Sequence, residues 1–200
     1  MGILSLTGVI TYFYLFSFQT LLALFDIPAP DINAFSNTYN RLFLTFVSVP
    51  AIIMPTIATR LTKAISSNQW NTVKSLFGAV IGFSLGYFLV FRLSSSLILT
   101  LLDADNKYPL AFSFLNTISW GILAYPLIQV LGPIFIFFHK EKYELITAII
   151  LAITGFSLQI YTIPRYGATG LIWTILFITI LDLLIKLFFF VKIMRKAPHT

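Results

Sequence analysis

Residues 33–60 read NAFSNTYNRLFLTFVSVPAIIMPTIATR, and this stretch decides what kind of protein the chain is. It is long and apolar enough to cross a bilayer, which takes about 20 residues of helix. Yet it carries Arg41 and a row of polar side chains. At about 100° per residue, Asn33, Asn37, Asn40, Arg41, Thr45 and Ser48 fall within an arc of roughly 140°. Phe, Leu, Val and Ile fill the opposite face. A charge at the bilayer centre costs about 2.5–3.5 kcal/mol on insertion scales, so its bearer normally faces a cavity or a partner. The expectation is a helix that forms one wall of a transport path.

The rest of the chain has the same character. Hydrophobic residues make up 58% of it and charged residues 10%, against about 25% charged in soluble domains. The mean hydropathy is +0.91. Apolar runs longer than a barrel strand of about 9–11 residues make this an all-α, polytopic integral membrane protein. Without cysteine there is no disulfide, thiolate metal site or thiol chemistry. The first apolar run, residues 3–25, has no basic leader and no small-residue cleavage site, so it reads as a retained helix. Leu6 stands where a myristoylation signal needs Ser or Thr.

Working outward gives six expected spans in a single lobe over residues 1–196: about 3–25, 33–59, 75–95, 110–138, 145–163 and 171–191. The loop DIPAPDIN ends the first. RLTKAISSNQWNTVK, with Trp70 at an interface, follows the second as a basic loop. The third crossing is expected to end near Arg92–Ser95, leaving SLILTLLD along the far interface before the loop DADNKYP. Pro126 and Pro133 are expected to kink or break the fourth. HKEKYE and PRYGATG join the remaining spans.

Alternate loops sort by charge. Arg60, Lys63, Lys74, Lys140, Lys142, Lys192, Arg195 and Lys196 share one side, whereas Lys107, Arg165, Asp26, Asp31, Asp103 and Asp105 lie on the other. The excess of Lys and Arg puts the basic loops and both termini in the cytoplasm. Much of the net charge of +6 is therefore topological, and no nucleic-acid partner is expected.

Several polar residues fall at membrane depth. Arg41 either snorkels to the outer headgroups or serves as a buried cation for an anionic ligand; guanidinium forms forked hydrogen bonds to phosphate and stays charged. Asn37 and Asn40 share its face. Arg92 either snorkels or adds a second cation to the same pocket. Asp182 and Lys186, spaced i,i+4 beside Thr179, form a self-neutralised pair, or Lys186 snorkels away and Asp182 handles a coupling cation. Ser5, Gly8, Tyr12 and Gln19 share a side of the first helix, and Ser113, Asn116, Ser119 and Trp120 form a patch on the fourth. Gln129 and Gln159 read as packing amides and His139 as a solvated loop residue. Pro50, Pro55, Pro126 and Pro133 are candidate hinges. Phosphate-binding loops, nucleophile elbows, metal-ligand pairs and potassium-type filters are missing from the sequence, so no catalytic residue, metal or cofactor is expected, and no enzyme.

NTYNRLFLTFVSVPAIIMPTIATRLTKAISSNQW (residues 37–70) resembles a repeated element of the polysaccharide and lipid-linked oligosaccharide flippases, in the superfamily that includes the multidrug and toxic-compound exporters. The matching positions are Tyr39, Arg41, Pro50 and Pro55, and Arg60 with Lys63. Residues 76–192 are similar to the C-terminal polysaccharide-biosynthesis domain of such proteins, most closely at IPRYGATGLIW (residues 163–173). The resemblance implies a six-helix lobe facing a second lobe across a cationic cavity that opens alternately to each side of the cytoplasmic membrane. It implies a polyprenyl-pyrophosphate-linked oligosaccharide as substrate, with its tail among membrane lipids, and Arg41 at the family's basic position. A full member has at least twice as many helices. The expectation is thus a fragment, or a half that needs a second lobe in cis or as a dimer and does not transport alone. The rival expectations are a drug exporter of the same superfamily, whose cavity would hold an acid, and a non-transporting subunit of a polysaccharide-assembly complex.

Overall fold

A computed structural model describes residues 2–102 and 110–196, excepting the side chains at 4, 12–16, 19, 96, 101, 102, 195 and 196. The expectations for Tyr12 and Gln19, and those for Asp103, Asp105 and Lys107, lie outside that set. The chain is helical in α1 (Ile3–Leu24), α2 (Ala29–Phe35), a π-helical segment (Ser36–Phe43), α3 (Leu44–Ser66), α4 (Trp70–Leu102), α5 (Ala111–Ile118), α6 (Gly121–Phe137) and α7 (Glu141–Lys196). No strand occurs among the described residues. Among the described residues three helical stretches are long and apolar enough to cross a membrane: Ala29–Ser66, Trp70–Thr100 and Glu141–Met194. The pair α5 and α6 makes a fourth if it counts as one bent span.

α1 stops at Phe25, where Asp26 takes a positive φ of 51° and Pro28 follows. Pro30 sits in the first turn of α2, where no helical N–H bond is lost, and Asp31 complements the positive end of the helix. The second span therefore begins at Ala29, earlier than residue 33. It runs on to Ser66, past residue 59, because 60–66 hold no Gly or Pro and include the strong helix formers Arg60, Leu61, Lys63 and Ala64. Only Ser67–Gln69 separates α3 from α4, with Asn68 at φ 54°, so most of the expected basic loop is helical. α4 is likewise unbroken through Arg92 and Ser94 to Leu102. Its Ser84, Ser94 and Ser95 hydroxyls donate back to the carbonyls of Val80, Val90 and Phe91, which keeps them compatible with an apolar setting.

The prolines do not break their helices. α3 passes through Pro50 and Pro55, and α6 through Pro126 and Pro133. Pro50 cannot donate to the carbonyl of Phe46, and the Tyr87 hydroxyl donates to it instead, at 2.7 Å. The pair α5 and α6, where the fourth span was expected, bends by 43°, but between Ile118 and Gly121, ahead of both prolines.

α7 is two helices. At Gly167 the backbone has φ 57° and ψ −142°, a region that side chains disfavour. The chain reverses there. The hydroxyls of Thr162 and Thr174 meet at 3.1 Å, and the rings of Tyr143 and Phe189 stack with centroids 4.4 Å apart. Residues 141–166 and 168–196 thus lie antiparallel. A Cβ on Gly170 would come within 2.7 Å of the Thr162 carbonyl oxygen, so the close approach needs glycine.

α7 packs against α1 and α6, and α6 against α3 and α4. Two apolar cores result. One gathers Leu22, Phe35, Phe43, Phe91, Leu99, Phe114, Ile163 and Leu171; the other gathers Met54, Leu61, Ile65, Val73, Val130 and Ile134 against Leu187 and Phe190.

Candidate functional site

The opening stretch is polarised as its pattern predicts. Phe35, Thr38, Tyr39, Leu42, Phe43 and Val47 are buried, and Phe35, Tyr39 and Phe43 form a stacked column with centroids 5.3 and 5.5 Å apart. Phe43 also meets Tyr125 and Phe91 edge-on. Asn33, Arg41, Thr45 and Ser48 are exposed on the other face, with Asn37 and Asn40 half-buried. The π-helical turns carry Asn37, Asn40 and Arg41; such wide turns are frequent at functional sites. Asn40 Nδ2 donates to Ser36 Oγ at 3.4 Å, while Thr45 and Ser48 donate to the backbone carbonyls of Arg41 and Thr45. The Arg41 guanidinium makes no ion pair among the described residues. Farther along α3 the exposed residues turn apolar at Val49, Ile52 and Ile53.

Arg92 is exposed and donates through Nη2 to Asn116 Oδ1 at 2.6 Å, with its guanidinium 5.7 Å from the Phe88 ring. The Trp120 and Phe88 rings also meet, with centroids 5.3 Å apart. Arg41 and Arg92 both stand on segments that abut α5, the first through the Thr38 hydroxyl on the Ala111 carbonyl and the second through Asn116. Among the described residues no contact joins the two guanidinium groups to a common partner.

A second polar centre lies inside the bundle. Lys186 is buried, with 8% of its surface exposed, and does not snorkel. Its Nζ stands 3.4 Å from Asp182 Oδ1 and 3.4 Å from Glu144 Oε2. The expected Asp182–Lys186 pair is therefore present, and Glu144 joins it from the other half of α7. Sequence reasoning missed Glu144 because the fifth span was drawn from residue 145; the helix starts at Glu141. Glu144 Oε1 is buried without a hydrogen-bond partner and rests against Gly132 of α6, where a Cβ would lie 2.9 Å from it. Asp182 also lines a cleft of about 140 Å³ between α1, α6, α7 and the π-helical segment, together with Thr11, Tyr39, Tyr125, Ile178 and Thr179. Neither arginine lines that cleft.

Comparison with protein-family models, curated proteins and solved structures finds no match for the chain.

The remaining residues take packing or surface roles. Gln159 is fully buried and accepts from Ser17 at 3.0 Å, tying α7 to α1. Gln129 is half-buried. His139 is exposed at φ 53° in the turn before α7. Ser5 and Gly8 are exposed on α1, as is Ser113 on α5, whereas Ser119 is buried at the α5–α6 bend.

Proposed function

We propose that the chain is a six-crossing lobe of a transporter that passes an anionic, lipid-linked substrate across the cytoplasmic membrane. In this reading α1, α2–α3, α4, α5–α6 and the two halves of α7 each cross once, with the basic ends cytoplasmic. Support comes from the reversal at Gly167 and from the grouping of the two cores: one collects the chain near residues 22–43, 91–115 and 163–175, the other near 54–80, 130–138 and 183–194.

The observation that carries the transport reading is the outward polar face of 33–48. Its apolar face is spent inside the bundle, so Arg41 and its neighbours point away from the lobe. Lipid tails cannot satisfy a guanidinium, whereas a second lobe across a wet path can. The substrate we propose is a pyrophosphate-linked oligosaccharide on a polyprenyl lipid. Its phosphates meet Arg41, Asn37 and Asn40 on the outward half, and its tail lies along the apolar inner half at Val49, Ile52 and Ile53. The second lobe comes in cis or from another copy, and alternation between inward and outward openings moves the head group.

The test uses single cysteines, which are unambiguous in a chain without native cysteine. Cysteines at 33, 45 and 48, exposed on the same face but outside the proposed phosphate contacts, are expected to react with a membrane-impermeant thiol reagent added outside, and a pyrophosphate-linked lipid is expected to protect them. Cysteines at 85 and 89, on the exposed apolar face of α4, are expected to stay unreactive. Equal and low reactivity at 45 and 85 would place the stripe against lipid and remove the proposal.

A further inference from the structure

Glu144, Asp182 and Lys186 bring two acids and one ammonium together largely out of water: Lys186 is buried, and the side chains of Glu144 and Asp182 are 14% and 17% exposed. With all three ionised the cluster holds one uncompensated negative charge. A net buried charge costs several kcal/mol, and a group so placed is neutralised instead. Two neutralisers are available, a metal cation or a proton. A metal cation needs a shell of several oxygen ligands. Here the backbone around 144 and 182 is helical and its carbonyls are engaged. Among the described residues no third acid, His or Cys joins the pair. The site a cation would take is already filled by Nζ of Lys186, 3.4 Å from an oxygen of each acid. A proton meets the deficit without adding a like charge beside the ammonium.

We propose that the Glu144–Asp182 pair is a proton-binding site that holds one exchangeable proton, shared between the two carboxyls across Lys186 and reached through the cleft beside Tyr125. Two observations beyond the charge balance point to it. Glu144 Oε1, the oxygen not paired with Lys186, is buried without a hydrogen-bond partner and offers a place for a proton. Asp182 also lines the cleft, which gives the pair a route to the outside of the bundle. The groups that face the pair are Lys186 and Thr179 from α7, Tyr125 from α6 and, against Glu144, Gly132. Thr179 donates to the Ile175 carbonyl and does not neutralise either acid. Among the described residues, Tyr39 and Tyr125 are the other titratable groups that line the cleft. The proton site stands independently of transport, and so does its test.

The test is infrared spectroscopy of the full chain in lipid nanodiscs at neutral pH, reading the C=O stretch of protonated carboxylic acid in water and in heavy water. Calibrated against an acid standard, the wild type is expected to show a deuterium-sensitive band that counts one carboxyl group per chain. Because charge balance sets the protonation, either Glu144→Gln or Asp182→Asn alone is expected to abolish the band, since each leaves a neutral pair with Lys186. Lys186→Met is expected to raise it about twofold, because both acids are then uncompensated. A wild-type count of zero or two groups would overturn the proposal without any variant. So would a band that survives either neutralising substitution in a protein of unchanged helicity, or one that sodium ions remove at constant pH.

Discussion

Nζ of Lys186 stands 3.4 Å from Oε2 of Glu144, across a hairpin that closes only because the chain reverses at Gly167. The contact ties the open end of the hairpin together, with Glu144 resting against Gly132 of α6. Lys186→Met leaves two carboxyls facing each other in an apolar setting, and breaking a buried pair in this way costs about 3–5 kcal/mol. Glu144→Gln leaves the neutral Asp182–Lys186 pair and is expected to cost clearly less. Thermal unfolding of both variants in the same detergent checks the order.

The reversal itself depends on two glycines. Gly167→Ala forces a side chain into the region around φ 57°, ψ −142°, at a cost of about 1–3 kcal/mol. Gly170→Ala places a Cβ 2.7 Å from the Thr162 carbonyl oxygen and forces the halves apart, again for about 1–3 kcal/mol. Both variants are expected to lower the unfolding temperature, whereas Gly82→Ala, inside α4 with open space around it, is expected to leave it unchanged or raise it.

Tyr87 and Pro50 make a coupled pair. Tyr87→Phe deprives the Phe46 carbonyl of its donor, and an orphaned buried acceptor costs about 1–3 kcal/mol. Pro50→Ala restores a backbone N–H at the position that can reach the same carbonyl. The double substitution is therefore expected to be more stable than Tyr87→Phe alone, and a double-mutant cycle on unfolding free energy reads the coupling.

The two faces of the opening stretch should respond oppositely to truncation. Phe43 is fully buried between Tyr39, Tyr125 and Phe91, so Phe43→Ala is expected to cost about 3–5 kcal/mol. Arg41 is exposed, and Arg41→Ala is expected to stay within about 0.5 kcal/mol of the wild type. Chemical or thermal unfolding distinguishes the two, and a large loss in Arg41→Ala would give the arginine a structural role.

The amphipathic face of 33–48 was legible because helical periodicity separates Arg41 and the asparagines from Phe35, Tyr39 and Phe43 before any tertiary contact exists. The turn at 163–173 was legible from its glycines and proline. Other features depend on what meets across helices, which no local pattern records. Glu144 looked like a loop acid because its partner, Lys186, is reached only through the hairpin register. Pro126 and Pro133 looked like breaks, yet α6 runs through both, and the bend falls at Ser119–Trp120, where no proline signals it. Pro50 shows how such a helix survives: the freed carbonyl is satisfied by a hydroxyl from α4. The polar stripe was read from the chain; that it points out of the lobe, away from the cleft beside Asp182, required the packing of Phe43 and Tyr39.

The central claim is that Arg41 meets the phosphates of a lipid-linked substrate. Its most direct test is the rate at which a pyrophosphate-linked oligosaccharide lipid crosses the membrane of cells carrying Arg41→Ala or Arg41→Lys, at matched protein levels. Loss of a charge-assisted hydrogen bond worth about 1.5–3 kcal/mol predicts a fall of about tenfold or more for Arg41→Ala, with Arg41→Lys between it and the wild type. Wild-type rates in both variants would contradict the claim.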